Sequence, residues 1–130
     1  MGAWVMMFIC NLLTPLTMWT VGEAFLRWPP RDINALVGYR TARSMRNQDT
    51  WDFANRRMAL LWRRWGLCML AAVIGGMAPL LGRADDDLIY GWGMAILMLE
   101  MVVLVASVVP VERALKNAFH EDGTRKERAE

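Results

Sequence analysis

The stretch WPPRDINALVGYRTARSMRNQDTWDFANRRMALLWRRW, residues 28–65, decides the fold, because it is a basic block set between one strongly apolar segment and two more. Nine of the fifteen Lys and Arg residues lie between Arg27 and Arg64, against only Asp32, Asp49 and Asp52 as acids. Loops rich in Lys and Arg stay on the cytoplasmic side of a bilayer, so this block is expected inside. Its first half predicts a loop. Pro29 and Pro30 cannot continue a helix arriving from the N-terminal side and push their predecessors toward extended geometry. Gly38 offers a positive φ, and Asn34, Thr41 and Ser44 carry short polar side chains that bond nearby backbone, which predicts a compact, turn-rich knot. The second half predicts a helix. Asn47 suits an N-cap and Asp49 the first turn, and Trp51, Ala54, Met58, Leu61, Trp62 and Trp65 then recur at helical spacing. With Asp52, Arg56, Arg63 and Arg64 mostly on other faces, this is an amphipathic, Trp-anchored helix suited to a bilayer interface and its lipids.

The flanking segments read as membrane. Residues 3–26 are long enough to cross a hydrocarbon core, which takes about 20 apolar residues. Asn11, Thr14, Thr17, Thr20 and Glu23 recur every third position there, tracing a slowly rotating polar stripe, and Pro15 predicts a kink. The stripe either glues helices together or lines a polar path. Residues 65–81 carry the small-x-x-x-small pairs Ala71–Gly75 and Ala72–Gly76, which let a helix approach closely, whether segment one or another copy of the chain. Residues 82–87 form a short external turn whose Asp85, Asp86 and Asp87 read as solvated rather than as a calcium site, which needs six or more oxygens. Residues 88–111 open with the interfacial anchors Tyr90 and Trp92 and place Glu100 near their middle. A carboxyl at that depth costs at least ~2.5 kcal/mol, so Glu100 is expected to face protein or a wet cavity, to be protonated, or to pair with Asn11, a Thr of segment one or a neighbouring copy. Residues 112–130 predict a short cytoplasmic helix broken at Gly123 and a fraying polar end.

The expectation is therefore an all-α membrane protein of three transmembrane helices in one unit, with an Arg/Trp-rich cytoplasmic loop and interfacial helix over 27–64, N-terminus outside and C-terminus inside. Segregated charge, with 55% hydrophobic and 22% charged residues, marks a multi-pass membrane protein. A net charge of +2 argues against nucleic-acid binding. Cys10 and Cys68 lie inside apolar segments and behave as small hydrophobes, and the lone His120 completes no cluster. There is no Gly-rich phosphate loop, no H-E-x-x-H, no G-x-S-x-G and no paired carboxylates at a credible spacing, so neither enzyme activity, nor a cofactor, nor a metal is expected.

Pro29-Pro30, Ile33-Asn34, Gly38-Tyr39-Arg40-Thr41, Ser44, Trp51 and Asn55, with Val109-Pro110, Glu112, Leu115, Phe119 and Gly123 near the far end, closely resemble the signature of the SdpI family. These are small membrane proteins typified by the immunity protein against the sporulation-delaying toxin. Longer relatives carry extra N-terminal helices, so this chain looks like the short form. The resemblance implies a bacterial cytoplasmic-membrane protein that protects against a membrane-active peptide toxin and, as in the prototype, sequesters a cytoplasmic ArsR-type repressor at the membrane. Pro30, Asn34, Gly38, Tyr39, Arg40, Thr41, Ser44, Trp51 and Asn55 are then the motif residues. Arg40 is expected either to fold the loop, pairing with Asp32 or bonding helix-terminal carbonyls, or to form a recognition site with Asn34 and Trp51. The alternative function is a small oligomeric transporter or channel whose polar path runs past Asn11, Thr14, Glu23 and Glu100.

Overall fold

A computed structural model describes residues 1–126. Four α-helices follow one another: α1 (Gly2–Arg27), α2 (Gln48–Met77), α3 (Asp86–Ala106) and α4 (Val108–Ala118), with a 3-10 turn at Ala78–Leu80. Among the described residues the one β pairing is an isolated bridge between Phe119 and Arg125. Three helical stretches are long and apolar enough to cross a membrane: Gly2–Arg27, Gln48–Leu80 and Asp86–Ala118. Exposed Ile9 and Leu13 on α1, Leu67 and Ile74 on α2, and Met98, Val102 and Val105 on α3 coat the outside of the bundle. Apolar side chains facing outward from all three helices are a surface made for lipid.

The amphipathic segment and the second apolar segment form one unbroken helix. Asn47 caps it: its side chain accepts from Thr50 N at 2.8 Å, and Thr50 Oγ1 accepts from Asn47 N at 3.1 Å. This reciprocal pair satisfies two otherwise orphaned donors. At the opposite end of the bundle Asp85 caps α3 by accepting from Leu88 N, and Asp86 and Asp87 occupy the first turn, where the helix dipole favours them. The Asp run therefore begins a helix, two residues before the expected start at Leu88.

The third apolar run does not end at Val111. Pro110 has no N–H to offer Ala106, and the ladder is interrupted at Ser107. Helical geometry resumes at once, because Pro110 stands in the first turn of α4, where a missing N–H costs nothing. The helix then continues to Ala118, so residues expected to form a separate tail helix extend the third span.

α1 is the middle helix. It packs along α2 and along α3, whereas α2 and α3 scarcely meet. The closest approach of α1 and α2 is made at glycines: a Cβ on Gly66 would lie 2.6 Å from Trp19 N, and one on Gly22 would lie 2.7 Å from Arg63 N. Small residues let backbones approach so that dispersion and packing hold helices together in lipid. The pairs singled out from the sequence lie elsewhere. Ala71, Ala72 and Gly75 are exposed, and Gly75 has open space before it.

Two apolar clusters stabilise the ends of the bundle. Ala3, Met7, Val73, Met77, Leu80 and Ile89 form one beside the Asp turn, where Trp4 Nε1 also donates to Met77 O at 2.9 Å. Tyr39, Ala54, Met58, Val111, Leu115 and Phe119 form the other, beneath the Arg-rich loop. Where this second cluster is removed from water, each buried aliphatic side chain contributes about 1.5–3 kcal/mol.

Candidate functional site

The motif folds as an interlocked loop on the N-terminal half of α2 and on α4. Asn34 makes an Asx turn: its Oδ1 accepts from Leu36 N at 2.9 Å and Val37 N at 2.7 Å, and its Nδ2 donates to Asp32 O. Gly38 follows with φ +118°, a conformation suited to glycine, pressed against the Trp51 ring and Asn55 Oδ1. Asn55, buried on α2, accepts from Tyr39 N at 2.7 Å and donates to Trp51 O at 2.9 Å. Trp51 is wholly buried and donates its Nε1–H to Pro30 O at 2.7 Å. The spacing of Trp51 and Asn55, one helical turn apart, thus provides both ends of a clamp on the loop.

The next residues lock the turn internally. Ser44 Oγ donates to Tyr39 O at 2.8 Å and accepts from Thr41 N at 2.8 Å, and Ser44 N donates to Thr41 Oγ1. Thr50 Oγ1 donates to Ser44 O, tying this knot to the helix cap. Tyr39 reaches the other way: its hydroxyl donates to Glu112 Oε1 at 2.7 Å, and Glu112 also faces Arg43 at 3.7 Å. Burial, together with the carboxylate of Glu112 beside it, pushes the Tyr39 phenol far above its ordinary range.

Pro30, Asn34, Gly38, Tyr39, Thr41, Ser44, Trp51 and Asn55 are therefore spent on holding the loop together. Arg40 differs. It is exposed and donates to the loop carbonyl of Ala35, rather than to Asp32 or to a helix end. Asn34 and Trp51 do not join it in one surface site. The same segment presents Trp28 (74% exposed), Leu36 (86%) and Val37 to the outside.

The tail adds a clamp that the sequence reading missed. Arg125 forks onto Asp49, with Nη2–Oδ1 2.6 Å and Nε–Oδ2 3.1 Å, and lies over the Phe119 ring. Asn47 Nδ2 donates to Gly123 O at 2.7 Å, and Gly123 turns the chain with φ +91°. The expected end at Gly123 is thus a turn that returns onto α2, while residues 127–130 of the predicted fraying end lie outside the described residues.

The polar stripe of the first helix divides. Asn11 is wholly buried, and Thr14 is half-buried beside Glu100 of α3 without reaching hydrogen-bond geometry. Thr17 and Thr20 are exposed and bond back to Leu13 O and Leu16 O of their own helix. Glu23 lies nine residues beyond Thr14, within 3.7 Å of Arg63 and 4.0 Å of Arg27. The buried polar group consequently comprises Asn11, Thr14 and Glu100. Glu100 is 3% exposed and among the described residues neither of its carboxyl oxygens has a hydrogen-bond partner; Asn11 spends Nδ2 on Met7 O but leaves Oδ1 unpaired among them. Pro15, lacking an N–H, also leaves the Asn11 carbonyl without its helical donor. Glu100 lines a cleft of about 340 Å³ between α2 and α3 whose other walls, Ala72, Val73, Gly76, Ile96 and Val103 among them, are apolar.

Three apolar helices, a knotted loop at their charged end and a buried carboxyl between them define a small multi-pass helical membrane protein. The chain belongs to the SdpI/YfhL protein family, whose profile matches residues 31–111, from the start of the loop to the first turn of α4. It is similar to YfhL of Bacillus subtilis (strain 168), a protein named there as uncharacterized: 36% of 100 residues are identical, covering 74% of this chain and 76% of the relative. No solved structure matches it.

Proposed function

We propose that this protein resides in a bacterial cytoplasmic membrane and protects the cell against a membrane-active peptide toxin. Membership of the SdpI/YfhL family supports the reading. The observation that carries it is the unpartnered Glu100 in a cleft open to the lipid side. A peptide already within the bilayer reaches the cleft without crossing water, and a buried acid without a partner in the cleft wall gains most from any group that comes to donate to it. No step in this reading is catalytic. The Arg-rich end, with Arg40, Leu36 and Val37 outward, is the display surface for a cytoplasmic repressor, with anionic headgroups as the competing contact.

A second reading is a small oligomeric transporter or channel. Asn11 Oδ1 favours it, as a second buried unpaired acceptor, three residues before the Thr14 that lies beside Glu100. A single copy encloses no path, so several copies are required.

The test is survival of a sensitive bacterium challenged with a pore-forming peptide while expressing the protein, Glu100→Gln or Arg40→Ala at matched membrane abundance. Protection by the natural chain is expected, with Arg40→Ala losing the induced response. Glu100→Gln keeps polar groups of similar shape and retains protection if the carboxyl acts by hydrogen bonding, but abolishes any proton-coupled transport. Equal killing with and without the well-expressed natural chain overturns the protective reading.

A further inference from the structure

The cleft that holds Glu100 is one half of a longer seam. A second cavity of about 230 Å³ lies toward the Arg-rich end, lined by Arg57, Leu60, Leu61, Arg64, Pro110 and Val111. On α2, Arg57, Arg64, Cys68, Ala72 and Gly76 recur at helical spacings along one stripe, while across the gap Ile96, Val103 and Pro110 are spaced by sevens. The arginine-lined cavity lies between α2 and α4 and the Glu100 cleft between α2 and α3, one beyond the other along α2, with Trp62 Nε1 donating to Ser107 Oγ at 3.1 Å beside the junction.

The two ends differ in chemistry. Arg57 and Arg64 are exposed and, among the described residues, make no ion pair, whereas Arg27, Arg43, Arg63 and Arg125 each face a carboxylate. Beyond Arg64 the walls are apolar except for Glu100, as far as the contact in which Trp92 Nε1 donates to Gly76 O at 2.9 Å and bridges the gap. From Arg64 to Gly76 the seam runs twelve residues, about 18 Å of helix. One leaflet of a ~30 Å hydrocarbon core is about 15 Å deep.

We propose that this seam binds one anionic phospholipid, with its phosphate between Arg57 and Arg64 and an acyl chain lying along the α2–α3 cleft over Glu100. Guanidinium groups match phosphate oxygens in a planar, bidentate way, and two of them two turns apart on one face converge on a single headgroup. A free anion satisfies the arginines but leaves the apolar seam unfilled. A zwitterionic lipid fills the seam but adds a cation beside the arginines. The anionic phospholipid alone matches both ends, and it explains how α2 and α3 stand apart in the bilayer without a void between them.

Native mass spectrometry of the full chain, released from detergent with phosphatidylglycerol, phosphatidylcholine or sodium phosphate, tests this. One phosphatidylglycerol is expected to be retained at least tenfold more strongly than phosphatidylcholine. R57Q/R64Q should erase that preference, and the charge-matched control R46Q/R56Q should keep it. Should the double variant fold poorly, R57Q and R64Q singly carry the test, each expected to lower the preference. A72F, which narrows the apolar end, should weaken retention of both lipids. Equal retention of the two lipids, equal losses in the two arginine double variants, or free phosphate held as firmly as phosphatidylglycerol would each overturn the proposal. Because it is scored by lipid retention and not by survival, it stands or falls apart from the protective role.

Discussion

The Tyr39 hydroxyl donates to Glu112 across 2.7 Å, joining the loop to α4 over 73 positions of sequence. A hydrogen bond to a charged acceptor is worth about 1.5–3 kcal/mol, so Tyr39→Phe is expected to lower the unfolding midpoint in detergent by that amount of stability. The same contact predicts a titration. In a Tyr90→Phe background Tyr39 is the sole tyrosine, and its phenolate absorbance should rise only well above pH 10, the range of a free phenol. Since the folded state holds this proton more tightly than the unfolded chain, the stabilisation is complete below about pH 10 and is lost as pH rises further. Glu112→Gln should bring the phenolate back part of the way, burial being the larger cause. A phenolate already formed near pH 10 in folded protein would contradict the contact.

Gly38 predicts a backbone defect. At φ +118° a side chain is strained, and a Cβ would lie 2.8 Å from Asn55 Oδ1 and 2.9 Å from the Trp51 ring. Strain of this kind costs about 1–3 kcal/mol. Gly38→Ala should therefore free the loop, measured as faster proteolysis at Arg31, Arg40 or Arg43 while the helical circular-dichroism signal stays intact. Unchanged cleavage would mean that the Trp51–Asn55 clamp tolerates the methyl.

Several of these contacts follow from residue chemistry that the sequence carries openly. Asn47 before an amphipathic run is an N-cap wherever it occurs, Asn34 makes its own turn, and Pro29-Pro30 end a helix, because each acts on backbone within a few residues. Length and hydropathy likewise made three helices long enough to span a membrane legible. What escaped was long-range. Nothing local in Arg125 points to Asp49, and nothing in Gly123 points to Asn47, since those contacts exist only once the third span has brought the tail back beside α2. The break at Ser107 was hidden for another reason: the apolar run continues through it, and only the missing N–H of Pro110 marks the junction. For Glu100, the sequence identified a carboxyl at depth. Its lack of a partner emerged only from the packing of α1 against α3.

The glycines of α2 separate close packing from composition. At Gly66 a Cβ meets Trp19 N at 2.6 Å, whereas at Gly75 it meets nothing within 4 Å. Gly66→Ala should push α1 and α2 apart and destabilise by about 1–3 kcal/mol, the usual cost of overpacking. Gly75→Ala should be neutral, or stabilising by up to about 1 kcal/mol through helix propensity. Thermal unfolding in matched detergent distinguishes them. If Gly75→Ala is the damaging change, that face contacts another copy of the chain, and the small-residue pair Ala71–Gly75 marks its interface.

The charged ends of the bundle predict its orientation. The C-terminus of α1, the loop, the first half of α2, α4 and the tail lie together at one end, which gathers thirteen of the fourteen Lys and Arg residues among the described residues; of these, Arg83 alone stands in the turn opposite. Positive charge is retained on the cytoplasmic side, so Asp86 is expected outside and Arg46 inside. Both side chains are exposed, and replacing Cys10 and Cys68 by Ala leaves no competing thiol. In that background an impermeant maleimide applied to intact cells should label Asp86→Cys, and should label Arg46→Cys only after the membrane is opened. The reverse pattern would put the knotted loop outside, where no cytoplasmic repressor could meet Arg40, and would end the display-surface reading whatever the fate of the toxin assay.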